Sequence, residues 1–322
     1  MLSATASIDL EAGALCIDGD FLKRYLGLSV VSLLLGSTGW CHQNIKSAFS
    51  QRRVSMAQES IVSYDRQDGI AIVTINRPEK RNAMDEATRR AIIDAWVRFR
   101  DDKEALVAII TGSGDVAFSA GNDLKEVYQG AAEDTSWVSP VKGAGTIQMA
   151  TMQGLRINKP VIAAVNGYCL GAAFAIALAC DIRYCSPNAV FGCSEVKYAH
   201  MAGGGQATRL SHTLPMGWAM ELTLTGDSIN AETAKRLGIV NQVVPQEKLI
   251  QACVDLAQRM ASTSEALLRN TKEFLYQARS LSLSEGLELE GLYYERIRQA
   301  GEYDQGTRAF AEGRRRSVQP VG

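Results

Sequence analysis

The chain has 322 residues, of which 46% are hydrophobic, so it is long enough to bury one large core or two ordinary ones. Its 34 Lys and Arg and 35 Asp and Glu give a net charge of -1, which excludes the charge excess expected when nucleic acid or an anionic membrane is the main partner. The seven cysteines include no Cys-x-x-Cys pair and the three histidines no His-Glu-x-x-His motif, so we expect reduced thiols and no metal site. These features are typical of a cytoplasmic enzyme.

The first 55 residues differ from the rest and are predicted to be a poorly ordered N-terminal extension. Their long apolar run, residues 26–35, is too short to span a bilayer as a helix. Basic residues precede this run as in a signal peptide, but acidic residues lie upstream and no small-x-small cleavage site follows. We therefore predict a folded core over residues 56–255 and a C-terminal helical region over residues 256–322.

From residue 61 onward the sequence alternates between strand and helix patterns. Residues 61–64 and 70–75 are strand-like and flank residues 66–69, whose Asp-Gly pair is a turn signal, so a hairpin is predicted. Asp85 can cap a following helix, and residues 106–110 are predicted to form a buried strand. The charged residues of that helix predicted to face water are Arg89, Arg90, Asp94 and Arg98.

The alternation continues to about residue 244 and indicates an α/β core. A helical stretch over residues 141–155 precedes a strand over 161–165 and a small-residue helix over 171–179. Further strands are predicted over residues 181–185 and 239–244.

After Pro245 strand signals cease, and residues 246–316 are predicted to form successive helices. One of these helices is predicted to carry Leu287, Leu292 and Tyr293 on a common face. A helical tail of this length must cover apolar surface, either on its own core or on a neighbouring subunit. The sequence leaves both arrangements open.

Two loops, residues 117–124 and 166–173, each follow a buried strand and open a helix. The first N–H groups of a helix have no partner within it, so an oxyanion bound between two helix starts would meet oriented donors. A developing enolate requires such donors. The same spacing also fits plain tight connections between strand and helix. The chain has no Gly-x-Gly-x-x-Gly, Walker-type Gly-Lys-Ser/Thr or Gly-x-Ser-x-Gly motif, which disfavours dinucleotide enzymes, NTPases and serine hydrolases.

Those two loops, together with motifs along the rest of the chain, resemble the enoyl-CoA hydratase/isomerase (crotonase) family. The resemblance runs from residue 61 into the helical tail. The motifs that carry it are Asn76-Arg77-Pro78, Asn82-Ala83-Met84, Ala120-Gly121-Asn122-Asp123, Lys159-Pro160-Val161-Ile162-Ala163-Ala164-Val165-Asn166-Gly167, Cys180-Asp181, Gly203-Gly204-Gly205, Leu224-Thr225-Gly226, Ala231-Glu232-Thr233-Ala234 and Gly238-Ile239-Val240.

This resemblance implies an α/β fold, a crotonase-like spiral of ββα units with a C-terminal helical trimerisation region, assembled as a homotrimer or hexamer. It implies an acyl-CoA thioester as substrate and no separate cofactor, because coenzyme A is part of the substrate. The implied catalytic groups are the N–H of Asn122, the N–H of Ala172 and the carboxylate of Glu195. The implied substrate-binding residues are Arg77, Lys80, Arg81, Ala83, Ala120, Gly121, Asp123, Gly171 and His200.

The chain departs from the family's hydratases at one of their two glutamates. The first maps to Ala175, and only the second, Glu195, is kept. A positioned acid or base is typically worth about 10²–10⁴ in rate, so its loss should weaken ordinary hydration unless another group replaces it. Tyr198, His200 and Asp123 are the candidate replacements, although Asp123 is usually structural in this family and a loop histidine is commonly just a surface residue.

One carboxylate suffices for other reactions of the family. It can move a proton from the alpha to the gamma carbon, as in the double-bond isomerases, and some hydratase-lyases also resemble the one-glutamate pattern. The predicted function is an enoyl-CoA hydratase or isomerase of fatty acid metabolism. A decarboxylase, a hydratase-lyase, a CoA-ester hydrolase and a CoA-binding scaffold without catalysis are the alternatives.

The acyl group of the substrate is not specified by the sequence. Residues 127–154 are predicted to shape the acyl pocket, with Trp137, Met149 and Met152 as candidates to face the acyl chain, although apolar residues at helical spacing are more often core. Mixed charges on the first helix indicate a solvated face, so RNA binding is disfavoured. No membrane partner is expected.

Overall fold

The computed structural model describes residues 7–9, 14–16, 60–129, 141 and 144–313. The chain divides into two units, Met1–Glu59 and Ser60–Gly322. In the first unit, β1 (Ser7–Asp9) and β2 (Ala14–Cys16) pair antiparallel. The rest of the extension predicted over residues 1–55 lies outside the described residues. Across the described ranges, no helix combines the length and the apolar character needed to cross a membrane.

The larger unit contains a six-stranded sheet among its described residues. Its strands, in spatial order, are β12 (Gln242–Val243), β9 (Ile182–Cys185), β7 (Val161–Val165), β5 (Val107–Gly112), β4 (Ile70–Ile75) and β3 (Val62–Gln67). β3 and β4 are antiparallel, and the other neighbours are parallel. Every residue of β5 and β7 is buried, as expected for parallel strands covered on both faces.

The predicted hairpin is confirmed, with its turn at Asp68 and Gly69. Both residues have positive φ, 50° and 78°, which suits an Asp-Gly turn between antiparallel strands. The strand predicted over residues 239–244 is shorter in the structure, Gln242–Val243. Asn241 N and Val244 N on either side of it also donate to β9, whereas Ile239 N and Val240 N donate to Ala234 O instead.

A second, four-stranded sheet was not predicted. Its strands, in spatial order, are β11 (Ser228–Asn230), β10 (Val190–Gly192), β8 (Tyr168–Leu170) and β6 (Ala117–Ser119). Two of these strands, β6 and β8, lie inside the segments treated above as loops. They are parallel neighbours, with Ala117 opposite Tyr168, so the chain leaves both strands at the same edge of the sheet.

Among the described residues, six α-helices end before residue 226. They are α1 (Glu86–Asp101), α2 (Leu124–Gln129), α3 (Thr146–Ala150), α4 (Ala172–Ala179), α5 (Gln206–Thr213) and α6 (Met216–Thr225). Asp85 caps α1 as predicted, because its side chain accepts from Thr88 N at 2.9 Å. The helix predicted over residues 141–155 is shorter, over Thr146–Ala150. All eight residues of α4 are buried, which explains its apolar composition.

The C-terminal part is helical, as predicted. Its helices are α8 (Leu249–Ala261), α9 (Glu265–Ala278), α10 (Leu283–Gln299) and α11 (Glu302–Ala311), and a further short helix, α7 (Ala231–Arg236), lies before β12. The Lys272 ammonium on α9 pairs with the Asp181 carboxylate at 2.8 Å and holds the helix to the core. The common face predicted for α10 is wrong: Tyr293 packs on Phe274, whereas Leu287 and Leu292 are 59% and 69% exposed.

Candidate active site

Residues 117–124, here called the first segment, and residues 166–173, the second segment, converge at the edge of the sheet where β6 and β8 end. A Cβ built on Gly121 would lie 2.7 Å from Leu170 O and 3.5 Å from Ala172 N. Gly121 also has a φ of 93°, a conformation that side chains other than glycine rarely adopt. The first segment can therefore approach the second this closely only because residue 121 is glycine.

The backbone around each convergent amide is fixed by neighbouring hydrogen bonds. Met84 N donates to Gly121 O at 2.8 Å, and Asp123 N donates to Met84 O at 2.9 Å. In the second segment, Gly171 N donates to Gly192 O at 2.9 Å. Within the described part of the chain, the N–H groups of Asn122 and Ala172 donate to no protein acceptor. Both are therefore free to bind an oxygen atom from a ligand.

The carboxylate of Glu195 lies next to the second segment. Glu195 is in a 3-10 helix, Ser194–Tyr198, and a Cβ built on Gly171 would lie 3.4 Å from Glu195 Oε1. Its other oxygen, Oε2, is buried and has no hydrogen-bond partner among the described residues. Burial raises the pKa of Glu195 above its ordinary value, and a hydrogen bond from its own backbone N–H and, to a smaller extent, the nearby His200 partly oppose that rise. A carboxylate with a raised pKa is a stronger base than an ordinary one, which suits it to take and return a proton.

Ala175, at the position of the first family glutamate, is fully buried and faces the Gly203-Gly204-Gly205 segment. A Cβ built on Gly204 would lie 3.4 Å from Ala175 Cβ and 3.2 Å from Ile147 Cγ1. The next polar side chain along the chain is Gln206, which sequence analysis missed. It is fully buried, and its Nε2 donates to Gly171 O at 3.3 Å.

Arg89 was predicted to face water, and this prediction is wrong, because Arg89 is 8% exposed. Its Nη1 donates to Asn122 Oδ1 at 3.2 Å and to Met84 O at 3.0 Å. Its Nη2 pairs with Glu86 Oε2 at 2.7 Å and lies 3.6 Å from Glu126 Oε2. Residues from α2 and α3 cover this side of α1 and bury the guanidinium. The predictions that Asp94 and Arg98 are exposed are confirmed, and Arg90 is half-buried.

The carboxylate partner of Arg89 belongs to a compact polar cluster. Glu86 N donates to both carboxylate oxygens of Glu126, at 3.0 and 2.9 Å, and Thr146 Oγ1 donates to Glu86 Oε2 at 3.0 Å. Burial raises the pKa of Glu86, but hydrogen bonds from Arg89 and Thr146 outweigh it and hold that pKa below its usual value. Glu86 is therefore an ionised anchor for the first segment.

Of the residues predicted to bind substrate, Arg77 is largely buried and engaged within the protein. Its Nη1 donates to Ala83 O at 2.6 Å, and its Nη2 pairs with Asp85 at 2.9 Å. These contacts hold the bend that carries Ala83 against the first segment. Asp123 is also engaged, since its carboxylate accepts from Lys125 N at 3.2 Å and lies 3.8 Å from Lys80 Nζ.

Lys80 and Arg81 are exposed beside the first segment. The Lys80 side chain is 55% exposed, and the Arg81 guanidinium lies 5.9 Å from the centre of the Tyr168 ring. Arg81 O accepts from Ala120 N at 3.0 Å, so the cationic bend and the first segment are joined directly. Both cations can reach an anionic group bound at this edge.

Tyr198 and His200, which follow Glu195 in the chain, have exposed side chains. His200 N donates to Glu195 O at 3.1 Å, and Ala199 between them has a φ of 57°. Trp137 lies outside the described residues. Met149 is fully buried and Met152 packs partly buried against the same core, so both serve as core residues in the chain.

A cavity of about 640 Å³ separates α9 from the core, away from this site. It is lined by Asp181, Arg183, Arg209, Lys272 and Tyr276, among others, and neither of the two convergent segments nor Glu195 contributes to its wall. Over the described ranges, no group of three or more His, Cys, Asp or Glu side chains could hold a metal ion.

Comparison with known proteins agrees with this architecture. Residues 65–319 match the family model described as enoyl-CoA hydratase/isomerase. The chain is 33% identical over 245 residues to an (E)-benzylidenesuccinyl-CoA hydratase of Thauera aromatica, covering 76% of the chain and 93% of the relative. It is 37% identical over 246 residues to a carnitinyl-CoA dehydratase of Salmonella typhi, covering 75% and 92%. The structure of an enoyl-CoA hydratase from Mycobacterium tuberculosis superposes with a TM-score of 0.72 at 35% identity, covering 81% of the chain and 98% of that structure.

Proposed function

Because the chain belongs to the enoyl-CoA hydratase/isomerase family, we propose that it adds water reversibly to the double bond of a 2-enoyl-CoA thioester. The observation that carries this proposal is the position of the Glu195 carboxylate, with its buried Oε2, beside the segments that carry the free amides of Asn122 and Ala172. The hydratase and dehydratase named above catalyse, by their names, reactions of this class. Hydration of the 2-enoyl-CoA and dehydration of the 3-hydroxyacyl-CoA pass through the same enolate intermediate.

In the proposed reaction, the thioester oxygen accepts hydrogen bonds from Asn122 N and Ala172 N. Water attacks the beta carbon while Glu195 takes one of its protons, and the electron pair of the double bond moves to the thioester as an enolate. Glu195 then returns the same proton to the alpha carbon, which completes the addition of H and OH. Dehydration follows the same steps in reverse, so one carboxylate closes the cycle.

The oxyanion site is the main source of stabilisation in this scheme. Removal of one oxyanion-hole donor typically costs about 10²–10³ in kcat. Ala172 begins α4, so the positive end of that helix adds to the two N–H groups. The exposed cations Lys80 and Arg81 are suited to the phosphate groups of coenzyme A. Arg77, Ala83, Ala120, Gly121, Asp123 and Gly171 support the shape of this edge.

A second candidate is double-bond isomerisation, which Ala175 favours. With no side-chain carboxylate at residue 175, Glu195 alone can take the alpha proton of a 3-enoyl-CoA and return it to the gamma carbon. The same oxyanion site stabilises the dienolate. The two reactions differ only in whether water enters.

The test is turnover of 2-enoyl-CoA, 3-hydroxyacyl-CoA and 3-enoyl-CoA thioesters of several chain lengths by the wild type and by Glu195→Gln. We expect the variant to lose about 10²–10⁴-fold in kcat. Glu288→Gln, an exposed glutamate on α10, is the matched control and should keep the wild-type rate. Equal rates for the wild type and Glu195→Gln would remove Glu195 from its role. Free CoA, carbon dioxide, or binding without turnover would instead support a hydrolase, a decarboxylase or a scaffold.

We also propose that the chain assembles as a homotrimer or a hexamer. Large apolar side chains on or beside α9 and α10 are strongly exposed in the single chain, and these are Leu275, Leu283, Leu287 and Leu292. Exposed apolar surface of this kind supports an interface between subunits. A cytoplasmic location and a place in fatty acid metabolism stay predictions from the sequence.

A further inference from the structure

Gln206 is a fully buried amide whose side-chain oxygen accepts no hydrogen bond from the described residues. It is the first residue of α5, and its Nε2 donates to Gly171 O at 3.3 Å. Its Oε1 is buried and has no hydrogen-bond partner among the described residues. Burial of a polar atom without a partner is unfavourable, so an atom in this state calls for an explanation, and a bound water or a catalytic role is one.

Gln206 and Glu195 approach the same residue from two sides. The Glu195 carboxylate lies against the Cα of Gly171, at 3.4 Å from a Cβ built there, whereas the Gln206 amide lies on the carbonyl of Gly171. Glu195 Oε2 is also buried without a partner. Two acceptor oxygens that need donors therefore flank the residue just before Ala172.

Gln206 stands on the side of Gly171 that faces Ala175. Ala175 N and Gln206 Nε2 both donate to Gly171 O, at 3.1 and 3.3 Å. Gly204, two residues before Gln206, packs against Ala175, where a built Cβ would lie 3.4 Å from Ala175 Cβ. The chain thus lacks a carboxylate at residue 175 but brings a buried amide oxygen to the same side.

We propose that Gln206 Oε1 accepts a hydrogen bond from the water that adds at the beta carbon, and from the beta hydroxyl in the reverse direction. This inference rests on the proposed function. A water molecule has two O–H groups, and Glu195 and Gln206 offer two acceptors. Glu195 removes one proton and later delivers it to the alpha carbon. The other proton stays on the new hydroxyl, held by Gln206, so the amide orients the oxygen and transfers no proton.

The test compares two reactions that differ in their need for this water. Hydration of a 2-enoyl-CoA requires it, whereas exchange of the alpha proton of butyryl-CoA in D₂O requires only Glu195 and the two amides. Gln206→Met keeps the length of the side chain and removes the acceptor. We expect its kcat for hydration to fall on the order of tenfold or more, the effect of one lost hydrogen bond, with alpha exchange within about twofold of the wild type.

Gln206→Asn shortens the side chain by one methylene group and withdraws the amide. It should also lose hydration while keeping alpha exchange, and it replaces Gln206→Met in the test if that variant does not fold. Gln246→Met is the matched control, because Gln246 Nε2 also donates to a backbone oxygen, that of Asn166, and its Oε1 is likewise buried without a partner among the described residues. It should change neither reaction.

Three results would overturn the inference. Hydration unchanged in the Gln206 variants would remove the residue from the reaction, and equal losses of hydration and alpha exchange would make Gln206 a structural support of Gly171. A wild type that exchanges the alpha proton but does not hydrate any 2-enoyl-CoA would also overturn it while leaving the enolate chemistry intact. A wild type that does neither would overturn the proposed function itself.

Discussion

Arg89 Nη1 donates to the side-chain oxygen of Asn122 at 3.2 Å, and the same nitrogen donates to Met84 O at 3.0 Å. Met84 N donates to Gly121 O and Met84 O accepts from Asp123 N, so Met84 holds the backbone on both sides of the Asn122 amide. The orientation of that amide therefore depends on a buried cation from α1.

We predict that Arg89→Leu lowers the free energy of unfolding by about 3–5 kcal/mol, because it leaves the carboxylates of Glu86 and Glu126 without their buried partner. Urea unfolding measures this loss. Arg98→Leu, which changes an exposed arginine of the same helix stacked on Tyr64, should cost less than about 1 kcal/mol. An equal loss in the free energy of unfolding for both substitutions would contradict a stabilising role of the ion pairs that Arg89 makes with Glu86 and Glu126.

The raised pKa of Glu195 predicts a pH-dependent cost to stability. Because burial raises its folded pKa above the unfolded value, the folded state holds more protons between those two values, and stability falls as pH rises through that window. Glu195→Gln does not titrate there, so it should be more stable than the wild type at pH 8 and should lose that advantage below about pH 4. Thermal melting of both proteins across this range measures the difference.

A wild type that is as stable as Glu195→Gln at pH 8 would contradict the buried position of the carboxylate.

Activity should rise, rather than fall, as pH increases through this window. Hydration needs the ionised form of Glu195 as a base, so kcat/KM for hydration should rise with pH across the same window.

Gly121→Ala should disturb both stability and the site. Its Cβ would approach Leu170 O to 2.7 Å, and its φ of 93° is strained for alanine, so we expect a loss of about 1–3 kcal/mol in the free energy of unfolding. The kcat of the folded variant should also fall, because the alanine side chain forces the two segments and their amides apart. Gly217→Ala is the matched control, since its Cβ would meet nothing within 4 Å in α6, and it should stabilise by up to about 1 kcal/mol. A neutral Gly121→Ala would contradict the close approach.

Much of the fold followed from the sequence because long elements carry their own periodic pattern. The hairpin, the cap at Asp85 and the helical C-terminal part were predicted in this way. The second sheet was not, because strands such as β6 and β8 have only three residues each, too few to show alternation, and lie in glycine-rich segments. Their pairing is a tertiary relationship between residues about fifty positions apart.

The site was predicted in part. The residues expected at the two segments and at Glu195 are brought together, because the resemblance carried their register. Arg89 and Gln206 were missed for one reason. A helix pattern shows which residues share a face but not what packs on that face. Both side chains are buried by segments distant in sequence: Arg89 donates to Asn122 and Gln206 donates to Gly171.

Light scattering on the purified full chain should give the mass of three or six subunits. The exposed leucines Leu287 and Leu292 supply apolar surface on α10, so Leu287→Glu together with Leu292→Glu should shift the population toward smaller species. A monomeric wild type at micromolar concentration would contradict the proposed assembly.

The most direct measurement for the central claim is a structure of the protein with a non-reactive acyl-CoA analogue bound. We predict that the thioester oxygen lies within about 2.7–3.2 Å of both Asn122 N and Ala172 N, with the Glu195 carboxylate beside the alpha carbon. A thioester oxygen beyond hydrogen-bond distance of either amide, or a thioester bound in another part of the molecule, would contradict it.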